Sequence, residues 1–113
     1  TAAYLDAARQ LAQNGIRYVV FGHTHLAKRV ELSPGGPVYL NSGTWGDLMR
    51  VPDAVFSDTP ESTAALAAFL DALRARNYSD YLYFRPTFVR LAVGAEGRVS
   101  QADLVLYSDP SSV

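Results

Sequence analysis

Apolar and polar positions alternate along the chain with two different periods, and the changes of period divide it into five stretches. Residues 4–14 carry Leu5, Ala8, Leu11 and Ala12 at the spacing of one helical face, and Asn14-Gly15 supplies a left-handed stop. Residues 16–21 are a nearly unbroken run of β-branched and aromatic side chains, which predicts a strand covered on both faces in a parallel or mixed sheet. Residues 26–32 mix apolar and charged side chains, the turn formers Ser33-Pro34-Gly35-Gly36-Pro37 follow, and Val38-Tyr39-Leu40 completes a β-hairpin. A further short strand is expected over 48–51.

The composition shifts at Pro52-Asp53, and Thr59-Pro60-Glu61 reads as a helix start, with Thr59 as N-cap and proline at the first helical position. Leu66, Phe69, Leu70 and Leu73 then recur at i, i+3, i+4 and i+7, which predicts a helix over 61–76 with one apolar stripe. Residues 81–84 and 87–93 read as strand interrupted by Pro86. Gly94-Ala95-Glu96-Gly97 turns the chain into 98–107, where Val99, Gln101 and Asp103 alternate with Ala102, Leu104 and Leu106 as a strand with one wet face. Residues 108–113 are expected to fray. The order helix, strand, hairpin, helix, hairpin predicts an α/β fold.

A length of 113 residues is one domain's worth of chain, and 49% hydrophobic with 19% charged residues is the balance of a globular protein. No apolar run reaches the length of a membrane span. A net charge of −1 gives no general pull toward nucleic acid or an anionic membrane. The chain has no cysteine, which excludes disulfides and thiolate metal sites. With no signal-peptide pattern at the start, this favours a reducing, cytoplasmic setting. The chain opens at Thr1 and runs directly into a helical pattern, so an upstream segment is expected to have been removed.

The chemistry concentrates where the first strand ends. Gly22-His23-Thr24-His25 holds both histidines of the chain, two residues apart. On extended backbone such a pair projects to one side, with Cα atoms about 6.5 Å apart by the strand rise. In α/β sheets ligands gather at the carboxyl ends of strands, which is where this motif falls. Two neutral imidazoles suit Mn, Fe or Zn. The competing reading is a pair of hydrogen-bonded turn histidines with no metal, and the strand and glycine ahead of them favour ligands. The hairpin returns Asn41-Ser42-Gly43-Thr44-Trp45-Gly46 to the same place.

The Gly-His-Thr-His loop after an apolar strand resembles the last metal-binding motif of the calcineurin-like metallophosphoesterase superfamily. Tyr39-Leu40-Asn41-Ser42-Gly43-Thr44-Trp45 is similar to that superfamily's return strand, so the resemblance covers residues 16–46. Its wording is most similar to bacterial members related to the UDP-diacylglucosamine hydrolases. The resemblance implies one half of a four-layered α/β/β/α sandwich with mixed sheets. It also implies two divalent metal ions, Mn, Fe or Zn, and hydrolysis of a phosphomonoester, phosphodiester or pyrophosphate bond in a phosphorylated small-molecule or nucleotide-type substrate. Ions about 3.5–4 Å apart can polarise a phosphoryl oxygen, generate hydroxide and steady the leaving oxygen. By the resemblance His23 would bind one metal and His25 the other. Gly22 would allow a sharp turn beside the ions, with Thr24 and Gly43 shaping the loop.

The superfamily's other motifs, an Asp-x-His, a bridging Gly-Asp, an Asn-His pair and a further histidine, lie upstream of Gly-His-x-His and are absent here. The one Gly-Asp, Gly46-Asp47, is downstream. Two histidines cannot complete a tetrahedral site. The chain therefore reads as the C-terminal part of a larger metallophosphoesterase domain, inactive by itself, with metal-bound and metal-free states of the isolated chain both open, and with an open sheet edge that predicts a homodimer or domain-swapped assembly.

Other positions carry two readings each. Asn41 either faces substrate or metal, or satisfies the local backbone as a turn former, and the second has the better precedent before Ser-Gly. Trp45 walls a substrate cleft or fills a core or interface. Asp47 and Arg50 could reach substrate, but a surface ion pair is the simpler reading. The residue 81–84 cluster with Tyr78 covers a sheet rather than recruiting a partner, and Arg85 and Arg90 read as solvated strand charges. The residue 61–76 helix is an excursion that could serve as lid, dimer face or cover. The alternative function is a non-catalytic binding or assembly module that keeps the sheet and works through its helix and tyrosine-rich strands. A different nucleophile has little support, because no histidine outside the motif can serve a serine as base.

Overall fold

In the computed structural model, residues 2–108 are described, so the tail expected to fray lies outside them except for Ser108. The chain forms two compact units, one running to Trp45 and resuming at Arg85, the other spanning Gly46–Phe84.

The first unit opens with helix α1 (Ala2–Ala12), two residues earlier than the apolar spacing indicates at either end. Gly15 ends the turn after it at φ +81°, the left-handed conformation the Asn-Gly pair predicts. Strand β1 (Tyr18–Phe21), β2 (Lys28–Glu31) and β3 (Val38–Asn41) form a mixed sheet of order β1-β3-β2. The expected hairpin is present as β2 and β3, antiparallel with Lys28 opposite Asn41 and Glu31 opposite Val38. Its turn closes through the Gly36 N–H to the Ser33 carbonyl at 2.9 Å, with Gly35 at φ +66°. Strand β3 then lies parallel to β1, Phe21 opposite Asn41, so that hairpin and first strand make one sheet.

Period-two alternation divides the sheet between two partners. Val19 and Tyr39 face α1 and pack with Ala8, flanked by Leu5, Phe21, Val30 and Leu32. Val38 and Leu40 point to the other face, against Ala102 with Tyr18, Val89, Val99 and Leu104 around it. Ala102, Val89, Val99 and Leu104 belong to the antiparallel hairpin of β6 (Thr87–Val93) and β7 (Val99–Leu106), and Tyr18 to β1 itself. Only the central strand is fully enclosed. All four β3 residues are buried, whereas Val20 on the edge strand β1 is 44% exposed. The cover expected on both faces of residues 16–21 is met toward α1, where Val19 is buried, and fails at Val20 on the other face, since β1 is an edge strand among the described residues.

The final hairpin carries a β-bulge. Ala92 pairs with Gln101 but Val93 pairs with Val99, so Ser100 is the extra residue. The slip moves Val99 onto the face of Ala102 and Leu104, not that of Gln101 and Asp103 as simple alternation predicts. On the outer face Arg90 is not merely solvated: it pairs with Asp103 across the strands at 3.0 Å. That guanidinium, and then the Gln101 amide, hold the Asp103 carboxyl below its ordinary range.

The second unit contains a two-stranded antiparallel ribbon of β4 (Leu48–Met49) and β5 (Leu82–Tyr83), and helix α2 (Glu61–Arg74) lying against the 3-10 turn Asp53–Phe56. Pro60 is the N-cap, and Thr59 does not cap as expected. Its hydroxyl shares a 2.8 Å hydrogen bond with Ser57 and, first among the causes, lowers the pKa of Glu61. At the other end Arg76 takes φ +54°, with Asn77 N–H donating to Ala72 and Arg76 N–H to Leu73. This is the Schellman pattern with arginine where glycine is usual. Of the predicted stripe, Phe69 is buried and meets Tyr81 edge-on at 5.0 Å, while Leu66 is 43% exposed. No ion pair joins Asp47 to Arg50 among the described residues.

Candidate functional site

The histidines leave β1 at the end where β3 also finishes. Because β3 is the middle strand, the connection from β1 to β2 must pass across its carboxyl end, and residues 22–27 make that passage. Ser42 N–H donates to the Phe21 carbonyl at 3.3 Å, carrying the parallel ladder one step past the strands. Both loops singled out by the sequence thus meet at one end of one sheet.

Locally the backbone is not extended as the two-residue spacing assumed. His23 and Thr24 form a turn, and His25 sits at φ +62°, the left-handed region that histidine enters more readily than most residues. The two rings nevertheless stay close, with centroids 6.3 Å apart and planes at 84°. Both histidines are exposed. Between them the Thr24 hydroxyl is buried with no hydrogen-bond partner.

The return loop is built from the inside. Asn41 is 0% exposed, its amide donates to the Tyr39 hydroxyl at 3.0 Å, and its carbonyl oxygen accepts from Gly43 N–H at 3.0 Å. That is an Asx turn locked onto a buried phenol, so the side chain is occupied within the fold and does not face an open site. Gly43 has φ +72°, and a β-carbon there would meet Ala27 N at 3.0 Å and Thr87 Oγ1 at 3.2 Å. The Thr87 hydroxyl in turn donates to the Ser42 carbonyl. Gly22 differs: its φ is not positive, and a β-carbon would find only Ser42 Oγ at 3.9 Å. The glycine that the loop geometry demands is therefore Gly43, whereas position 22 has room for a side chain.

Trp45 is 55% exposed, donates from Nε1 to the Thr87 carbonyl at 2.9 Å and stacks on Tyr107 with centroids 5.2 Å apart. It is braced against the final hairpin. Tyr4, which the apolar spacing marks only as the start of a helix, stands on α1 with its ring centroid 6.1 Å from that of His23. The i, i+4, i+8 stripe of Tyr4, Ala8 and Ala12 was the available signal.

Imidazole pairs are fitting donors for Zn, Mn or Fe. Among the described residues, however, no three His, Asp or Glu side chains gather in a way that could hold an ion, so the pair fits part of a metal shell and no more. Nor does any helix among them have the length and apolarity to cross a membrane. Comparison with protein-family models finds no match, and comparisons with curated proteins and with solved structures find none either.

Proposed function

We propose that these residues are the C-terminal part of a metal-dependent phosphoesterase of the calcineurin-like superfamily, with His23 and His25 each contributing one imidazole to a binuclear centre. The observation that carries this reading is the perpendicular ring pair, 6.3 Å apart, at the carboxyl end of a strand whose parallel neighbour delivers the Asn-Ser-Gly-Thr loop beside it. Helix α1 on one face of the mixed sheet and a second β-layer on the other are what half of an α/β/β/α sandwich would contain. Bound ions of the Mn, Fe or Zn class would supply Lewis-acid polarisation of a phosphoryl oxygen. The chain's own part is to present two imidazoles from a turn held by Gly43 and Asn41. The remaining ligands, the substrate contacts and the specificity for one phosphate ester over another would come from residues outside these 113, and the chain alone is inactive. The open edge of β1 would favour homodimers or strand exchange, and the setting is cytoplasmic.

Zinc titration followed on the two histidine side-chain resonances tests this. Both should move in the wild type, and His23→Ala or His25→Ala should weaken the response of the remaining ring without abolishing it, since each histidine holds its own ion in this reading. Resonances that ignore zinc would overturn the metal reading. Release of nitrophenol from bis(p-nitrophenyl) phosphate by the 113-residue chain with Mn would overturn its inactivity.

A second reading, a non-catalytic assembly module, is favoured by the exposed Leu66, Leu70 and Phe84 of the second unit. It predicts indifference to zinc together with self-association or partner capture that Leu66→Glu weakens.

A further inference from the structure

We propose that Tyr4 is a positioning residue that fixes the orientation of His23 and thereby holds the histidine pair ready for a metal ion; this rests on the metal-ligand reading of that pair.

Five rings run in an unbroken series from the core to the surface. Tyr39 is 1% exposed and its hydroxyl is tied to Asn41. Its ring meets Phe21 edge-on at 5.6 Å and 75°. Phe21 meets Tyr4 edge-on at 6.3 Å and 70°, and Tyr4 meets His23 at 6.1 Å and 45°. His23 then stands perpendicular to His25 at 6.3 Å. These separations are those at which aromatic quadrupoles favour edge-to-face or tilted pairs. One turn beyond Tyr4 along α1, Ala8 is fully buried against Val19 and Tyr39, which sets the helix close to the sheet and its first turn beside the motif.

The need for such a contact follows from exposure. An exposed histidine on a turn samples several rotamers, and restricting them on binding weakens affinity. Hydrogen-bonding partners that orient a metal-ligating histidine commonly alter metal affinity by about 10–100-fold when removed, and a ring contact is expected at the low end of that range. Here the ring of Tyr4 lies beside His23, and the aromatic ring rather than its hydroxyl makes the contact. Tyr4→Phe should therefore preserve the effect and Tyr4→Ala should remove it.

The experiment uses the full 113-residue chain and three measurements: ring-to-ring nuclear Overhauser effects, the χ1 couplings of both histidines, and zinc affinity. In the wild type and Tyr4→Phe, His23 should show one rotamer and a cross-peak to residue 4, with zinc affinities within about twofold of each other. Tyr4→Leu keeps apolar bulk against Phe21 and guards against loss of the fold. It and Tyr4→Ala should average the His23 coupling, leave that of His25 unchanged, and weaken zinc roughly tenfold. An unchanged His23 coupling or an unchanged zinc affinity in Tyr4→Ala would overturn the proposal. If the wild type takes no zinc, the metal reading fails, and the His23 coupling in the metal-free variants still decides whether Tyr4 orients that ring.

Discussion

A β-carbon on Gly43 would lie 3.0 Å from the backbone nitrogen of Ala27, so the return loop and the far end of the histidine turn are in contact with no space between them. Gly43→Ala combines that clash with a left-handed φ of +72° and should destabilise the chain by about 2–4 kcal/mol. Gly35→Ala shares the positive φ but meets nothing within 4 Å, and should cost about 1 kcal/mol. Gly22→Ala should be within about 0.5 kcal/mol of wild type. Urea midpoints of the three variants check the ranking, and a Gly43 variant no worse than Gly35→Ala would show that the two loops are free to separate.

Thr24 holds a buried hydroxyl without a partner. Replacing it by isosteric valine removes an unsatisfied polar group, and Thr24→Val should raise stability by about 1 kcal/mol. A lower melting temperature would mean that the hydroxyl is hydrogen-bonded in solution.

Arg76 occupies the left-handed position after α2 at φ +54°. Glycine adopts this conformation freely, so Arg76→Gly should stabilise the helix end by about 0.5–1 kcal/mol despite its greater freedom in the unfolded chain. Circular dichroism melting should move upward, and a fall would indicate that the Arg76 side chain contributes more than its backbone strain costs.

Asp103 has its carboxyl pKa lowered, mainly by Arg90 and then by Gln101. A depressed folded-state pKa favours the ionised form in the fold. Its contribution is therefore complete above the unfolded-state value, about 3.9, and disappears as pH falls through the lower folded value. Asp103→Asn should be less stable than wild type at pH 7, with the gap closing in acid. Carbon-detected titration should place Asp103 below ordinary aspartates, and Arg90→Met should move it back up. A gap that persists below pH 2 would assign the difference to packing.

Much of the fold was legible because local chemistry decided it. Ser33-Pro34-Gly35-Gly36-Pro37 can hardly do other than turn, and the β-branched run ahead of Gly22 can hardly be helix. Three features escaped for three physical reasons. The bulge at Ser100 moves Val99 between faces without changing composition, and only the register with β6 reveals it. The histidine turn looks extended by spacing, but His25 adopts a conformation that residue type permits without announcing it. Periodicity marks which side chains seek burial, yet Val20 and Leu66 show that it does not tell whether a neighbour is there to provide it. The meeting of the Gly-His-Thr-His and Asn-Ser-Gly-Thr loops at one end of the sheet was legible as a place. The placing of Tyr4 beside His23 was not, since it depends on how α1 docks.

The strand order β1-β3-β2 has a consequence for how the chain assembles. Strands β2 and β3 are joined by a short turn and can zip together locally, whereas every β1–β3 pair spans the whole hairpin. The edge strand is therefore expected to dock last, onto a ribbon already formed, and the histidine turn is the strap drawn tight in that step. Pulse-labelled amides of the hairpin should gain protection before those of β1, which would make the meeting of the two loops a marker of completed folding.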